Sequence, residues 1–222
     1  KIFADALAVV AGMVPTSSVL PHRAAATNED SLLPSGNSNN HYATVHNPLL
    51  SVESAARLDT LKGRLRLYPD PALRTTAAPV RTSLGSRELE TVTGLLIEAM
   101  IGNATTALQY GIDARIVVLR GASSPSEDGE PLVLVNPNVL ARSSEDKMLP
   151  WRESCGVIPH PSEDNQNDSD NTPFVEIDLL RDAVVEVAAQ DVTGKPVRKA
   201  LSGEAARAFQ HELDHLNGIL IV

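Results

Sequence analysis

The chain has 222 residues, 42% of them hydrophobic and 21% charged, with a formal net charge of −9 at pH 7. That composition excludes a disordered or fibrous chain, and the acidic balance argues against nucleic-acid binding, which needs clustered Lys and Arg. The longest apolar run near the start, Ala6–Val14, is far short of the roughly 20 residues that span a bilayer, so no membrane segment is expected.

Residues 1–62 are rich in Ser, Ala, Asn and Pro, include the polar stretch Thr27–Asn40, and begin at Lys1 rather than Met. They read as an N-terminal extension, either a remnant of a targeting sequence or a segment packed on the domain surface. Residues 63–222 read as one domain. Arg64–Tyr68 is a strand candidate closed by the turn signal Pro69-Asp70-Pro71. Leu84–Ile101 reads as a helix, with Leu89, Val92, Leu95, Leu96 and Ala99 at helical spacing. Arg115–Leu119 and Pro131–Val135 are strand candidates, separated by a polar surface loop over Ala122–Glu130. His160–Pro173 is acidic and polar and reads as an exposed insertion. Val184–Ala188 is a further strand, followed by a turn at Thr193-Gly194-Lys195. Ser202 caps a last helix that runs to about Leu216 and ends at Gly218. Strands with separated helices and no regular alternation predict an α+β fold, with small mixed or antiparallel sheets packed around the last helix.

That helix carries His211-Glu212-Leu213-Asp214-His215, an H-E-x-x-H pattern. Residues four apart lie one turn apart on one face, so both imidazoles can bind one metal ion, with Glu212 close enough to reach a water on it. Ala208, His211, Glu212 and His215 share that face. Phe209, Leu213 and Leu216 form an adjacent apolar stripe, while Arg207 and Asp214 point further round, toward solvent. The competing reading is a solvated helix face that happens to hold two histidines. A catalytic tetrahedral site needs a third protein ligand. Cys155, the only cysteine, is the natural candidate; otherwise it is a small buried hydrophobe. His22, His41, His46 and His160 have no motif around them and read as surface residues.

The segment Glu153-Ser154-Cys155-Gly156-Val157-Ile158-Pro159 resembles the second signature of the peptide deformylases, E-G-C-L-S followed by an apolar residue and Pro. Gln210-His211-Glu212-Leu213-Asp214-His215-Leu216-Asn217-Gly218 is very similar to that family's third signature. Gly102-Asn103-Ala104-Thr105-Thr106-Ala107-Leu108-Gln109 is similar to the first, G-x-G-x-A-A-x-Q. Tyr68–Arg74 and Val133–Pro137 resemble family segments in the same order. The likeness covers about Arg64 to Val222.

The resemblance implies that Cys155, His211 and His215 hold one divalent ion, usually Fe²⁺, with Zn²⁺, Ni²⁺ or Co²⁺ as substitutes. It implies hydrolysis of the formyl group on the N-terminal methionine of nascent polypeptides by a metal-bound hydroxide, with Glu212 as general base. Gln109 and the Gly156 N–H would stabilise the oxyanion, and Gly102, Asn103, Ala104, Glu204, Arg207 and Ala208 would line the substrate site. The implied partners are N-formylated nascent peptides, in association with the ribosome. Translation that starts with formyl-methionine suggests an organelle such as the mitochondrion, or otherwise the cytoplasm.

The sequence also departs from the family. Ala104 replaces the second Gly of the first signature and Asn103 its apolar neighbour. Ser154, Gly156 and Val157 replace Gly, Leu and Ser of the second. Glu204 and Arg207 stand where family members carry apolar residues that line the methionine pocket. Either the pocket wall has been rebuilt, or the helix is displaced and both side chains reach solvent. A deformylase-like paralogue with an intact metal site and altered specificity or little activity is therefore the alternative. A metallopeptidase fits less well, because no third-ligand signature follows His215. The end at Val222 reads as trimmed or short beside the family.

Overall fold

The computed structural model describes residues 49–81, 84–159 and 174–222. The expectations for residues 1–48, for the acidic insertion, and for His22, His41, His46 and His160 lie outside them. In chain order the elements are α1 (Val52–Ala55), α2 (Arg87–Ala99), β1 (Ala104–Thr106), β2 (Ile116–Leu119), β3 (Leu132–Arg142), β4 (Met148–Pro159), β5 (Phe174–Asp182), β6 (Val184–Gln190), β7 (Pro196–Ser202) and α3 (Gly203–Leu216). One sheet has the order β1-β2-β3-β6-β7 and a second pairs β4 with β5. Every strand pairing is antiparallel. The class is α+β, as the sequence implied. Among the described residues no helix is long and apolar enough to cross a membrane.

Strand β2 explains how the larger sheet carries a helix on each face. All of its residues, Ile116-Val117-Val118-Leu119, are buried. Side chains alternate along a strand. Ile116 and Val118 therefore join the cluster with Leu89, Val92 and Leu96 of α2. Val117 and Leu119 join Phe209, Leu213 and Leu216 of α3. A strand covered on both faces reads as an unbroken apolar run, which is why its sequence was legible. Ser86 caps α2 by accepting from the Leu89 N–H at 3.3 Å. That helix is shorter at both ends than the apolar periodicity suggested. Residues ahead of position 63 also enter the core, through Val52, Ala55 and Leu61.

Several expectations are corrected. Arg64–Tyr68 belongs to no strand, and Tyr68 already lies in a turn. The segment bridges two elements with single bonds, Arg66 N–H to Gln109 O and Tyr68 N–H to Val157 O, each 2.7 Å, so no ladder forms. Strands β1, β4, β5 and β7 were not anticipated. β4 contains Pro150 and charged residues, and β7 is an exposed edge with Arg198 and Lys199, residues that guard sheet edges. β5 did carry a signal, since Val175 and Ile177 alternate with Glu176 and Asp178. β3 runs well beyond Val135, past an irregularity between Val135 and Asn138. There Asn136 adopts φ 52, a left-handed conformation that Asn tolerates. Its side chain accepts from Val80 N–H at 2.8 Å and donates to Val80 O at 3.0 Å. Ser202 occupies the N-cap of α3, but its side chain makes no capping hydrogen bond.

The end of α3 is fixed by Gly218. Its φ is +71, and an added Cβ would lie 2.6 Å from the Arg74 carbonyl oxygen. Behind it, Ile219 N–H reaches back to Asp214 O at 2.9 Å. Gly218→Ala should therefore destabilise the protein by about 1–2 kcal/mol, read as a lower urea midpoint with unchanged slope.

Candidate metal centre

Strand β4 alternates, so Glu153, Cys155 and Val157 are buried while Ser154 is exposed and Gly156 half-buried between them. Helix α3 meets this inner face with His211 and His215, one turn apart. The Cys155 Sγ lies 3.2 Å from His215 Nε2. Ligand atoms of Cys155, His211 and His215 all fall within 4.8 Å of one another. The two rings pack edge to face, with centroids 5.0 Å apart. The structure thus brings together the three residues named as ligands.

Two residues that the sequence reading did not single out organise this cluster. His211 Nδ1 is 2.8 Å from Glu153 Oε2. A carboxylate only accepts, so Nδ1 carries the hydrogen and Nε2 is left free to bind a metal ion. Arg181 of β5 donates to both Glu153 oxygens at 2.9 Å and to Asp214 Oδ2 at 2.6 Å. Burial alone would raise the Glu153 carboxyl, but its bonds to His211 and Arg181 outweigh that and hold it down at about 2. Burial likewise opposes a charged His211, yet Cys155 and Glu153 push that ring up; burial and the charge of His211 push His215 down. Glu153 was findable, since it sits two residues before Cys155 and so on the same strand face. Arg181 gave no local signal.

Beside the cluster is a cavity of about 310 Å³ bordered by Gln109, Gly156, His211 and Glu212. Glu212 Oε2 is buried without a hydrogen-bond partner among the described residues. Burial pushes its carboxyl up to about 7, against the pull of His211 and Arg207. Gln109 is oriented by its neighbours: its Oε1 accepts from Thr105 Oγ1 at 2.6 Å and from Thr106 N–H at 2.7 Å. Because a backbone N–H must meet the oxygen, the amide NH₂ is the end left to donate toward the cavity. Gly102, Asn103, Ala104, Glu204, Arg207 and Ala208 border the same cavity.

Helical spacing put Arg207 toward solvent; instead it lines the cavity with its side chain 19% exposed, bound to Glu204. The cause is tertiary: Trp151 and Glu153 of β4 stand beside it. Asp214, placed toward solvent by its helical position, meets Arg181 at 2.6 Å.

The residues fit a metal ion. One sulfur and two imidazole nitrogens suit zinc or iron. A carboxylate behind a ligating His is the usual support for such a ring. An unpartnered buried carboxylate oxygen beside the cluster is what a water on the ion would satisfy.

The sequence model of the polypeptide deformylases matches residues 63–222. Peptide deformylase 1B, chloroplastic, of Oryza sativa subsp. japonica is 35% identical over 156 residues, 69% of this chain and 51% of that protein. Peptide deformylase 1B, chloroplastic/mitochondrial, of Arabidopsis thaliana is 32% identical over 156 residues, 69% of this chain and 50% of that protein. The chain thus spans about half the length of these two relatives. Among solved structures, a class I type b peptide deformylase of Acinetobacter baumannii with bound Met-Ala-Ser superposes with a TM-score of 0.58. It is 28% identical, covering 70% of this chain and 94% of that one.

Glu153→Gln keeps the shape but removes the charge that orients His211. It should weaken metal binding by about 10–100-fold, measured by competition with a chelator.

Proposed function

The chain belongs to the peptide deformylase family, and from that premise we propose that it hydrolyses the formyl group from the N-terminus of newly made polypeptides, releasing formate. On the family's pattern the formylated residue is methionine. The observation that carries the reading is the meeting of Cys155, His211 and His215 beside Glu212 and Gln109 in one cavity.

Cys155, His211 and His215 would hold one divalent ion, Fe²⁺ on the family's pattern, with Zn²⁺, Ni²⁺ or Co²⁺ as alternatives. Such an ion, when bound, acidifies water and polarises a carbonyl oxygen. Glu212 takes a proton from the attacking water and later delivers it to the leaving amine. The Gln109 amide, held by Thr105 and Thr106, donates to the oxygen that becomes negative, together with the Gly156 N–H. Glu153 and Arg181 keep the His211 ring in place.

We take residues 63–222 as the catalytic domain and residues 1–62 as its extension. The substrates are N-formylated nascent peptides, met at the ribosome. The plant relatives' chloroplastic and mitochondrial names support an organelle as its place of work. The Glu204–Arg207 pair on the cavity wall favours a second reading, a relative with altered specificity.

Fe²⁺-loaded protein should release formate from formyl-Met-Ala-Ser, and chelation should abolish that release. Glu212→Ala should lower kcat by about 10²–10⁴ while metal content is unchanged; equal rates would refute the assigned base. Gln109→Ala should lower kcat by about 10²–10³ with little change in metal affinity.

A further inference from the structure

Ile101, Gly102 and Asn103, in the stretch between α2 and β1, border the cavity beside Glu212. Little packing holds this stretch. Ile101 is 60% exposed. Gly102 adopts φ +77, and a Cβ added there would meet nothing within 4 Å. Glycine gives a chain its greatest freedom, so a wall of this kind needs another restraint.

Arg120, the residue after β2, supplies it. Its Nε–H donates to Gly102 O at 3.1 Å, and its Nη1 and Nη2 donate to Ile97 O and Met100 O, each at 3.2 Å. Helix α2 has no basic residue in its last turn, and the last carbonyls of a helix lack partners within it. One guanidinium therefore closes the helix and anchors the wall beyond it. Carbonyl and N–H of a trans peptide unit point opposite ways, so the bonds to Met100 O and Gly102 O also set the directions of the Ile101 and Asn103 N–H groups. The Arg120 backbone is a separate restraint: its N–H donates to Asn103 O at 2.8 Å, a bond that does not need the side chain. Strand β1 and the hold of Thr105 and Thr106 on Gln109 are thus independent of the guanidinium.

We propose that Arg120 is a positioning residue for the substrate: its guanidinium holds Met100–Gly102 in the shape that an incoming peptide meets, and the reacting groups work without it. A guanidinium presents its donors as a rigid fork, which an ammonium on a flexible stem does not copy. The inference rests on the deformylase reading and adds a residue outside the reacting groups.

Arg120→Lys keeps the charge at the end of α2 and loses the fork; Arg120→Met loses both. With metal-loaded full chain and formyl-Met-Ala-Ser, both variants should raise KM about tenfold and leave kcat within about twofold of native. Calorimetric titration with Met-Ala-Ser should show the same weakening, at unchanged metal content. A residue that only stabilised the fold would lower the urea midpoint and leave KM alone. Native KM in the lysine variant, or a fall in kcat at constant KM, would overturn the proposal. Arg120→Lys decides the matter by itself if Arg120→Met fails to fold. No formate from the native chain would sink the deformylase reading instead. Peptide binding then tests Arg120, and equal affinity in the native and lysine chains, or binding by neither, would overturn the inference.

Discussion

One buried contact governs the centre: the bond from His211 Nδ1–H to Glu153 Oε2 at 2.8 Å. It ties the helix that carries both imidazoles to the strand that carries the sulfur. Arg181, from the neighbouring strand, closes the back of that contact and reaches on to Asp214 of the helix. The Glu153 side chain is 0% exposed. A lone carboxylate there would cost several kcal/mol in lost hydration. Its partners offset that cost, and the same contacts join α3 to β4 and β5. Charge compensation and ligand geometry are thus one arrangement.

Helix α3 carries two jobs on two faces. Phe209, Leu213 and Leu216 bury against β2 and its neighbours, worth about 1.5–3 kcal/mol for each fully buried side chain. His211, Glu212 and His215 turn to the cluster. Between these faces Gln210 stitches the helix to β5: its amide accepts from Asp182 N–H at 3.1 Å and donates to Asp182 O at 3.0 Å. The histidine-bearing face is held by packing on one side and by polar bonds to the second sheet on the other. A site so braced loses little freedom when a ligand arrives.

The far half of the cavity contrasts with this centre. Beside the cluster, Glu153 and Arg181 are paired with each other and with His211 and Asp214. At Glu204 and Arg207 a charged pair is turned inward where the helix pattern alone would put it in water. Trp151 covers one side of the guanidinium and Ser123 holds the carboxylate. The pair is built into the wall rather than stranded on it.

What could be read from the residues alone were periodic features. The four-residue spacing of His211 and His215 fixes their common face, because the helix repeat does so for any sequence. The unbroken run Ile116–Leu119 announces a strand covered on both sides, and the α+β class follows from the order of such segments. Glu153 was within reach, two residues from Cys155 on an alternating strand. Other features had no local mark. Arg181 finds Glu153 and Asp214 only because β5 pairs with β4 and α3 packs across both. The direction of Arg207 depends on Trp151 and Glu204 standing beside it. The distance from the sulfur to the two rings spans a loop, two sheets and a helix. Short-range periodicity constrains which way a residue faces within its element; only packing between elements decides what it faces.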